Sequence, residues 1–252
     1  MIVRRPGSRS VFFFMSILAL VFAPVSSSFA EDPPADEWQF GAEIYGWGSS
    51  LNIKTTGGQT VTIPFHQILD DLEFTFMGMF AARKDKWTLA NDLIYMDLSQ
   101  KESKNHPEFT SYTDVTLKSW IVSPTVGYAF VDSPEARIEV LGGARYLWMK
   151  SGIKIEAESH TLFDQAASDH FWDGIIGLRG RFNLNEKWFI PAYVDVGWGD
   201  SQNTWQGILG VGYRFNKFET QLAYRYLSYE FDSPVISDLV VKGPFLGALF
   251  RF

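Results

Sequence analysis

The last seven residues, Leu246-Gly-Ala-Leu-Phe-Arg-Phe252, constrain this chain more than any other stretch. Read with period two, Leu246, Ala248, Phe250 and Phe252 share one face; Phe245, Gly247, Leu249 and Arg251 share the other. A strand with one apolar and one mixed face suits a place between lipid and a polar lumen. Asp238 to Phe252 therefore reads as a final strand that stops on an aromatic side chain.

The opposite end speaks to compartment. Arg4, Arg5 and Arg9 precede the uncharged, mostly apolar run Val11 to Ala23, then Pro24 and small residues lead to Ser28-Phe-Ala30. This is the pattern of a secretory signal peptide cleaved after Ala30. The alternative, a retained anchor, needs roughly 20 apolar residues to span, more than the run supplies. Residues 1–30 are thus expected to be a signal peptide, 31–37 a flexible acidic lead, and 38–252 the folded domain. Removing 1–30 takes away three Arg and no acid, leaving 19 basic residues against 29 acidic ones, a net charge of about −10. Such a chain is not expected to bind nucleic acid or to seek out anionic lipid. It holds no Cys, which excludes a disulfide framework and thiolate chemistry.

After residue 30 the longest obvious uncharged run, Ser119 to Val131, is broken by Pro124. The domain is then either a soluble exported fold or a membrane barrel. Aromatic residues make up 16% of the chain and Gly numbers 21, which favours a barrel with interfacial aromatic girdles and small residues where strands curve. Short breaks at Lys84-Asp-Lys86, Val131 to Glu135, Asn185-Glu-Lys187 and Asn216-Lys217 alternate with longer polar breaks at 49–72, 100–112, 157–170, 200–203 and 232–238. Alternating short and long connections are what an up-and-down barrel requires. The expected fold is all-β: a transmembrane up-and-down antiparallel β-barrel. Its strands are expected at 38–48, 73–84, 87–99, 113–130, 136–150, 170–183, 187–199, 204–216, 218–231 and 238–252. Eight strands follow if the first long loop hides a misread segment, and twelve if Leu51 to Ile63 forms a spanning hairpin.

Faces follow from the alternation. Trp148, Trp188, Trp198, Trp205 and Tyr213 fall on lipid-facing positions as interface aromatics, with Trp188 and Trp198 about ten residues apart on one strand. The strand 87–99 fits poorly, because Asn91 shares the lipid face of Trp87, Leu89, Leu93 and Tyr95; a bulge would repair it. A soluble sandwich or lipocalin-like barrel, with apolar residues inside, shows the same period. The terminal Phe, the leader and the turn sizes weigh against that alternative.

The ending at Phe250 and Phe252 resembles the C-terminal assembly signal of bacterial outer-membrane β-barrels. Ile68 to Trp87, continuing to Asp92-Leu-Ile-Tyr-Met-Asp-Leu-Ser99, looks like a family of mostly uncharacterised proteobacterial outer-membrane proteins. Over 38–252 the chain resembles the small single-chain outer-membrane barrels. The resemblance implies a bacterial outer-membrane location, with outer-membrane lipid, lipopolysaccharide and the barrel assembly machinery as partners. It implies no reaction.

Arg83, Asp92, Arg137, Glu139, Arg145, Asp173, Arg179, Arg181, Asp195, Arg214, Arg225 and Arg251 are expected to line the lumen. Arg pairs carboxylates bidentately and keeps its charge in a confined space. Two readings follow: an ion-pair network that fills a narrow barrel, or a weakly anion-preferring pore. Phe65, Ile68, Leu69 and Leu72 recur at helical spacing, so a short amphipathic turn is expected, as a partial plug, at the interface, or as loop packing. His66, His106, His160 and His170 fall in or beside expected loops. Ser168-Asp-His170 with His160 is the only cluster that points to a hydrolase. Neighbours on an extended strand point to opposite faces, which speaks against it. Glu158, His160, Asp164 and His170 are a weaker candidate for a metal, since loop spacing enforces no geometry. No cofactor and no metal are expected. The expected function is a monomeric, non-enzymatic barrel, structural or a narrow channel, with loop-mediated recognition as the alternative and envelope lipid or peptide processing third.

Overall fold

Alternation builds the wall strand by strand: each run places apolar side chains outward and a mixed set inward. The structure, a computed structural model, describes residues 37–105, 110–157, 160–232 and 236–252. The expected signal peptide, His106 and Glu158 lie outside them. The elements are β1 (Gln39–Trp47), β2 (Ser50–Thr55), β3 (Thr60–Ile63), α1 (Phe65–Asp71), β4 (Leu72–Lys84), β5 (Trp87–Asn105), β6 (Thr110–Asp132), β7 (Ala136–Ala157), β8 (His160–Asn183), β9 (Trp188–Gly199), β10 (Asn203–Arg214), β11 (Glu219–Glu230) and β12 (Ile236–Arg251). Each of β4 to β11 pairs antiparallel with the next, and β1 pairs with both β4 and β12. A ten-stranded barrel results, with β2 and β3 as two additional strands.

The additional strands come from the Leu51 to Ile63 hairpin, which forms but does not enter the wall as a spanning pair. β1 and β2 keep one register against β12, with Trp47 opposite Phe245 and Ser50 opposite Lys242. They are one strand interrupted at Gly48 and Ser49. A β-carbon on Gly48 would lie 3.3 Å from both the Phe65 ring and Pro244, a tight fit, so the chain passes close to these groups at the break. The β1–β4 ladder stops at Ile44 opposite Gly78. Beyond it β2 takes β3 as its other neighbour, and α1 bridges to β4. Ile68 of α1 is buried in the interior cluster, while Phe65 and Leu69 remain exposed, so one face of the expected amphipathic turn packs inward.

Three expectations need correction. Residues 100–112 and 157–170 are not simply loops: β5 runs to Asn105, β6 starts at Thr110 and β8 at His160. Ladders continue there to Asn105 opposite Thr110 and Ala157 opposite His160. Beyond the membrane the outer face meets water instead of lipid, so the apolar half of the alternation disappears while pairing continues. Second, 49–72 holds β2, β3 and α1 rather than loop alone. Third, no bulge moves Asn91. It faces Phe80 on β4 and Pro124 on β6 in unbroken register. That register is set at the turn, where Asp85 adopts φ 51° in the two-residue link between β4 and β5.

The outward face settles which side is lipid. Ile44, Phe80, Leu89, Val140, Ile176, Val196, Leu209, Leu222 and Leu246 are all exposed there. Aromatic belts flank this band. Tyr95–Trp120, Tyr146–Trp172 and Trp205–Tyr226 ring pairs, 4.5 to 4.6 Å between centroids, mark the end with long connections. Trp87–Tyr128 and Trp188–Tyr213, both at 4.9 Å, mark the short-turn end. Phe250 and Phe252 join this second belt through Phe218 and Phe40. Trp188 and Trp198 of β9 are separated by about 33 Å of strand, which at a tilt near 40° gives about 25 Å of height, the thickness of an outer-membrane apolar band.

Candidate functional site

The interior is the part of the fold where chemistry concentrates, and it is layered. Toward the long connections it is apolar: Leu51, Ile68, Ile94, Met96, Leu98, Leu147, Leu227, Phe231, Leu239 and Val241 pack as one cluster with Trp47 and Tyr229. A barrel interior is ordinarily polar, so this half departs from the expected charged lining. The charged residues lie below it. All twelve predicted lumen residues stand at inward positions of their strands.

Just beneath the apolar half are two arginine-centred clusters. Arg145 on β7 donates from Nη2 to Asp195 Oδ2 on β9 at 2.5 Å, from Nη1 to Thr204 Oγ1 at 3.2 Å and from Nε to Ser123 Oγ at 3.4 Å. Arg225 on β11 donates from Nη2 to Asp92 Oδ2 at 2.5 Å and to Gln206 Oε1 at 2.7 Å, and from Nη1 to the Tyr45 hydroxyl at 3.0 Å. The Tyr45 hydroxyl donates in turn to Asp92 Oδ1 at 2.5 Å, and the guanidinium lies 4.8 Å from the Trp47 ring centre. Buried ion pairs offset their desolvation only when further hydrogen bonds satisfy the remaining groups; the Arg225–Asp92 pair meets that condition through Gln206 and Tyr45, whereas beside Arg145 the Asp195 Oδ1 is buried without a hydrogen-bond partner.

Two more clusters close the short-turn end. Glu139 accepts from Arg137 Nε at 2.7 Å, Arg179 Nη1 at 3.3 Å and Thr88 Oγ1 at 2.6 Å. Glu219 accepts both Nη1 and Nη2 of Arg181, at 2.8 and 3.0 Å, together with Arg214 at 3.0 Å and Arg251 at 3.1 Å. Arg181 also stacks over Phe189 at 3.5 Å. Arg83 bonds Gln39 outside these clusters. Asp173 stands opposite Arg145 in the β7–β8 register, yet Arg145 reaches past it; its Oδ1 accepts the Ser201 backbone N–H at 3.0 Å.

The reading from sequence missed Glu43 and Glu219. Both are buried and inward, Glu43 accepting from Gln221. The signal was available, since Glu43 shares a face with Tyr45 and Glu219 with Arg225. With these two acids counted, the arginine excess behind an anion-preferring pore shrinks, and most arginines are committed to carboxylates.

The histidine candidates do not converge. His170 points outward opposite Trp148, Asp169 falls on the other face, and the Ser168 hydroxyl accepts the Trp148 indole N–H at 3.1 Å. His160 lies at the start of β8, ten positions away along the strand, and His66 in α1. Among the described residues no group of three His, Cys, Asp or Glu side chains is placed to hold a metal.

No family model and no curated protein matches the chain. Solved structures do. The outer-membrane protease OmpT of Escherichia coli superposes with a TM-score of 0.51 at 10% identity, over 86% of this chain and 97% of that one. The translocator domain of the autotransporter NalP of Neisseria meningitidis gives 0.45 at 13%, over 85% and 88%. The attachment invasion locus protein Ail of Yersinia pestis gives 0.37 at 13%, over 86% and 99%. At these identities the similarity is one of fold.

Proposed function

We propose that this chain is a closed, non-conducting barrel of the bacterial outer membrane, monomeric and non-enzymatic, that serves structurally and presents an extended β-sheet beyond the membrane. The observation that carries the reading is the state of the lumen. Arg145, Asp195, Arg225, Leu227 and Tyr229, contributed by β7, β9 and β11, are each no more than 1% exposed. A ten-stranded barrel is narrow enough for side chains to fill it, and here an apolar layer and the arginine clusters do so in succession. The outer-membrane location is supported by the fold shared with OmpT and by the belts around the apolar band. What OmpT does as a protease is not carried over, because at 10% identity the likeness is one of fold.

Recognition is the second reading, favoured by one asymmetry. β5 to β8 are 19 to 24 residues long, whereas β9 to β11 have 12 each. One side of the barrel therefore rises well past the outer belt as a paired sheet. Planar-bilayer recording on the refolded barrel, residues 31–252, tests the closed lumen. The expected record is silent for the parent. Steps of defined conductance in the parent would overturn the closed reading, with a pore in its place.

A further inference from the structure

We propose that Asp173, Asp195, Ser201 and Tyr229 bind a hard monovalent cation of the sodium class, buried just beneath the outer rim of the lumen. The site goes beyond the closed-lumen reading, which needs no ion. Asp173 on β8 is 2% exposed, and its one hydrogen bond is accepted by Oδ1 from the Ser201 backbone N–H at 3.0 Å. Its register partner Arg145 gives its guanidinium to Asp195 instead. Asp173 Oδ2 is buried without a hydrogen-bond partner, and so are Asp195 Oδ1, the Ser201 hydroxyl and the Tyr229 hydroxyl. A buried carboxylate with no counter-ion carries a large desolvation cost. Two aspartates against one arginine leave one negative charge in surplus.

The fold brings these oxygens to one corner. Phe171 on β8 and Phe231, just past β11, pack with ring centres 4.6 Å apart. Asp173 and Tyr229 each lie two residues deeper on the same inward faces, so they meet below that pair. The charges around the Tyr229 hydroxyl are those of Arg145, Asp173, Asp195 and Arg225, the last already balanced by Asp92. Ser201 arrives from the β9–β10 connection, which Asp200 pins to β8 through two 2.9 Å hydrogen bonds with the Trp172 backbone. A β-carbon on Gly199 would lie 2.3 Å from the Trp172 carbonyl oxygen and 3.1 Å from Asp173 Oδ1, so glycine there lets the chain close over the carboxylate. Two carboxylate and two hydroxyl oxygens make a hard donor set, suited to alkali and alkaline-earth ions. Charge selects between them. One positive charge neutralises the surplus, whereas a divalent ion beside the Arg145 guanidinium would overshoot it. Calcium also takes about six to eight oxygens, more than these side chains offer. A water molecule would satisfy the same oxygens but leave the charge in place.

The test follows the urea midpoint of the refolded barrel, residues 31–252, in phosphatidylcholine vesicles as sodium chloride replaces choline chloride at constant ionic strength. The expected parent midpoint rises with sodium and saturates, as for any ligand bound only by the folded state. Asp173→Asn keeps an acceptor for the Ser201 N–H and is expected to fold and to lose the sodium dependence. Tyr229→Phe is expected to need about tenfold more sodium for half saturation, the loss of one polar contact. Asp169→Asn, on the exposed part of β8, is expected to behave as the parent. Equal parent midpoints in sodium and choline overturn the proposal, as does a sodium-dependent rise that Asp173→Asn retains. Tyr229→Phe decides the point where Asp173→Asn does not refold: a half-saturation equal to that of the parent overturns the site. A rise with calcium chloride and none with sodium would overturn the monovalent assignment. A parent chain that shows no heat-dependent gel mobility overturns the membrane reading itself, an outcome distinct from a folded barrel indifferent to sodium.

Discussion

Arg145 on β7 holds Asp195 on β9 at 2.5 Å, reaching across the intervening β8, and neither side chain has any exposure. Two charges so deeply placed depend on each other. Asp195→Ala is expected to cost about 3–5 kcal/mol by leaving a guanidinium uncompensated. Arg145→Met/Asp195→Leu is expected to recover most of that loss, because the apolar layer lies directly above. Urea unfolding in vesicles, followed by tryptophan fluorescence, measures both. A single variant as stable as the parent would show that the pair does not hold the lumen together.

Glu219 gathers Arg181, Arg214 and Arg251 from three other strands at the short-turn end. Glu219→Gln keeps the shape and removes the charge, leaving three guanidiniums near one another. The expected loss is about 2–3 kcal/mol, at the low end for a buried pair because Arg214 and Arg251 are part-exposed and screened. Added salt is expected to restore part of the loss, the opposite of its effect on the parent. Unfolding curves at low and high ionic strength decide the point.

Gly247 on β12 lies against the Glu43 carboxylate so closely that a β-carbon there would occupy the same space. Gly247→Ala is therefore expected to push the Glu43 carboxylate away from Gln221 and to lower the urea midpoint in vesicles. Glu43→Ala/Gly247→Ala is expected to recover part of that loss, since the smaller side chain opens the space the methyl needs. Failure of the pair to recover any of it would place the conflict in the backbone instead.

Asp85 takes φ 51° in the turn between β4 and β5. Asp and Gly tolerate that region, whereas a β-branched residue is strained in it by about 1–3 kcal/mol. Asp85→Gly is expected to refold as the parent does, and Asp85→Val with lower yield and a lower urea midpoint. Equal midpoints for the two variants would mean that the turn relaxes at no cost.

Much of this architecture is written locally. Period two places Arg145 and Leu147 on one face and Tyr146 and Trp148 on the other without reference to any partner, and the same rule marks the inward set on every strand. Turn residues such as Asp85 and the alternation of short and long breaks carry the up-and-down order, and with it the ten-stranded closure. Other features had no local signature. β5 to β8 continue past the outer belt because pairing needs only backbone groups, whereas the pattern that reveals a strand in sequence needs lipid on one side. The Leu51 to Ile63 hairpin has strand composition, but its seat on β12 is decided by the break at Gly48 and by α1 filling the seam before β4.

The partners of the charges were also a tertiary matter. Alternation puts Arg145, Asp173 and Asp195 each on the face opposite the apolar one of its strand. It cannot say that Arg145 passes its register partner Asp173 to reach Asp195, or that one glutamate serves arginines on β8, β10 and β12. The sequence by itself determined which residues share a face of each strand, because side-chain direction is a property of each strand. Closure of the barrel decided which of them meet, because long side chains choose partners across the curvature of the wall, where sequence distance carries no information.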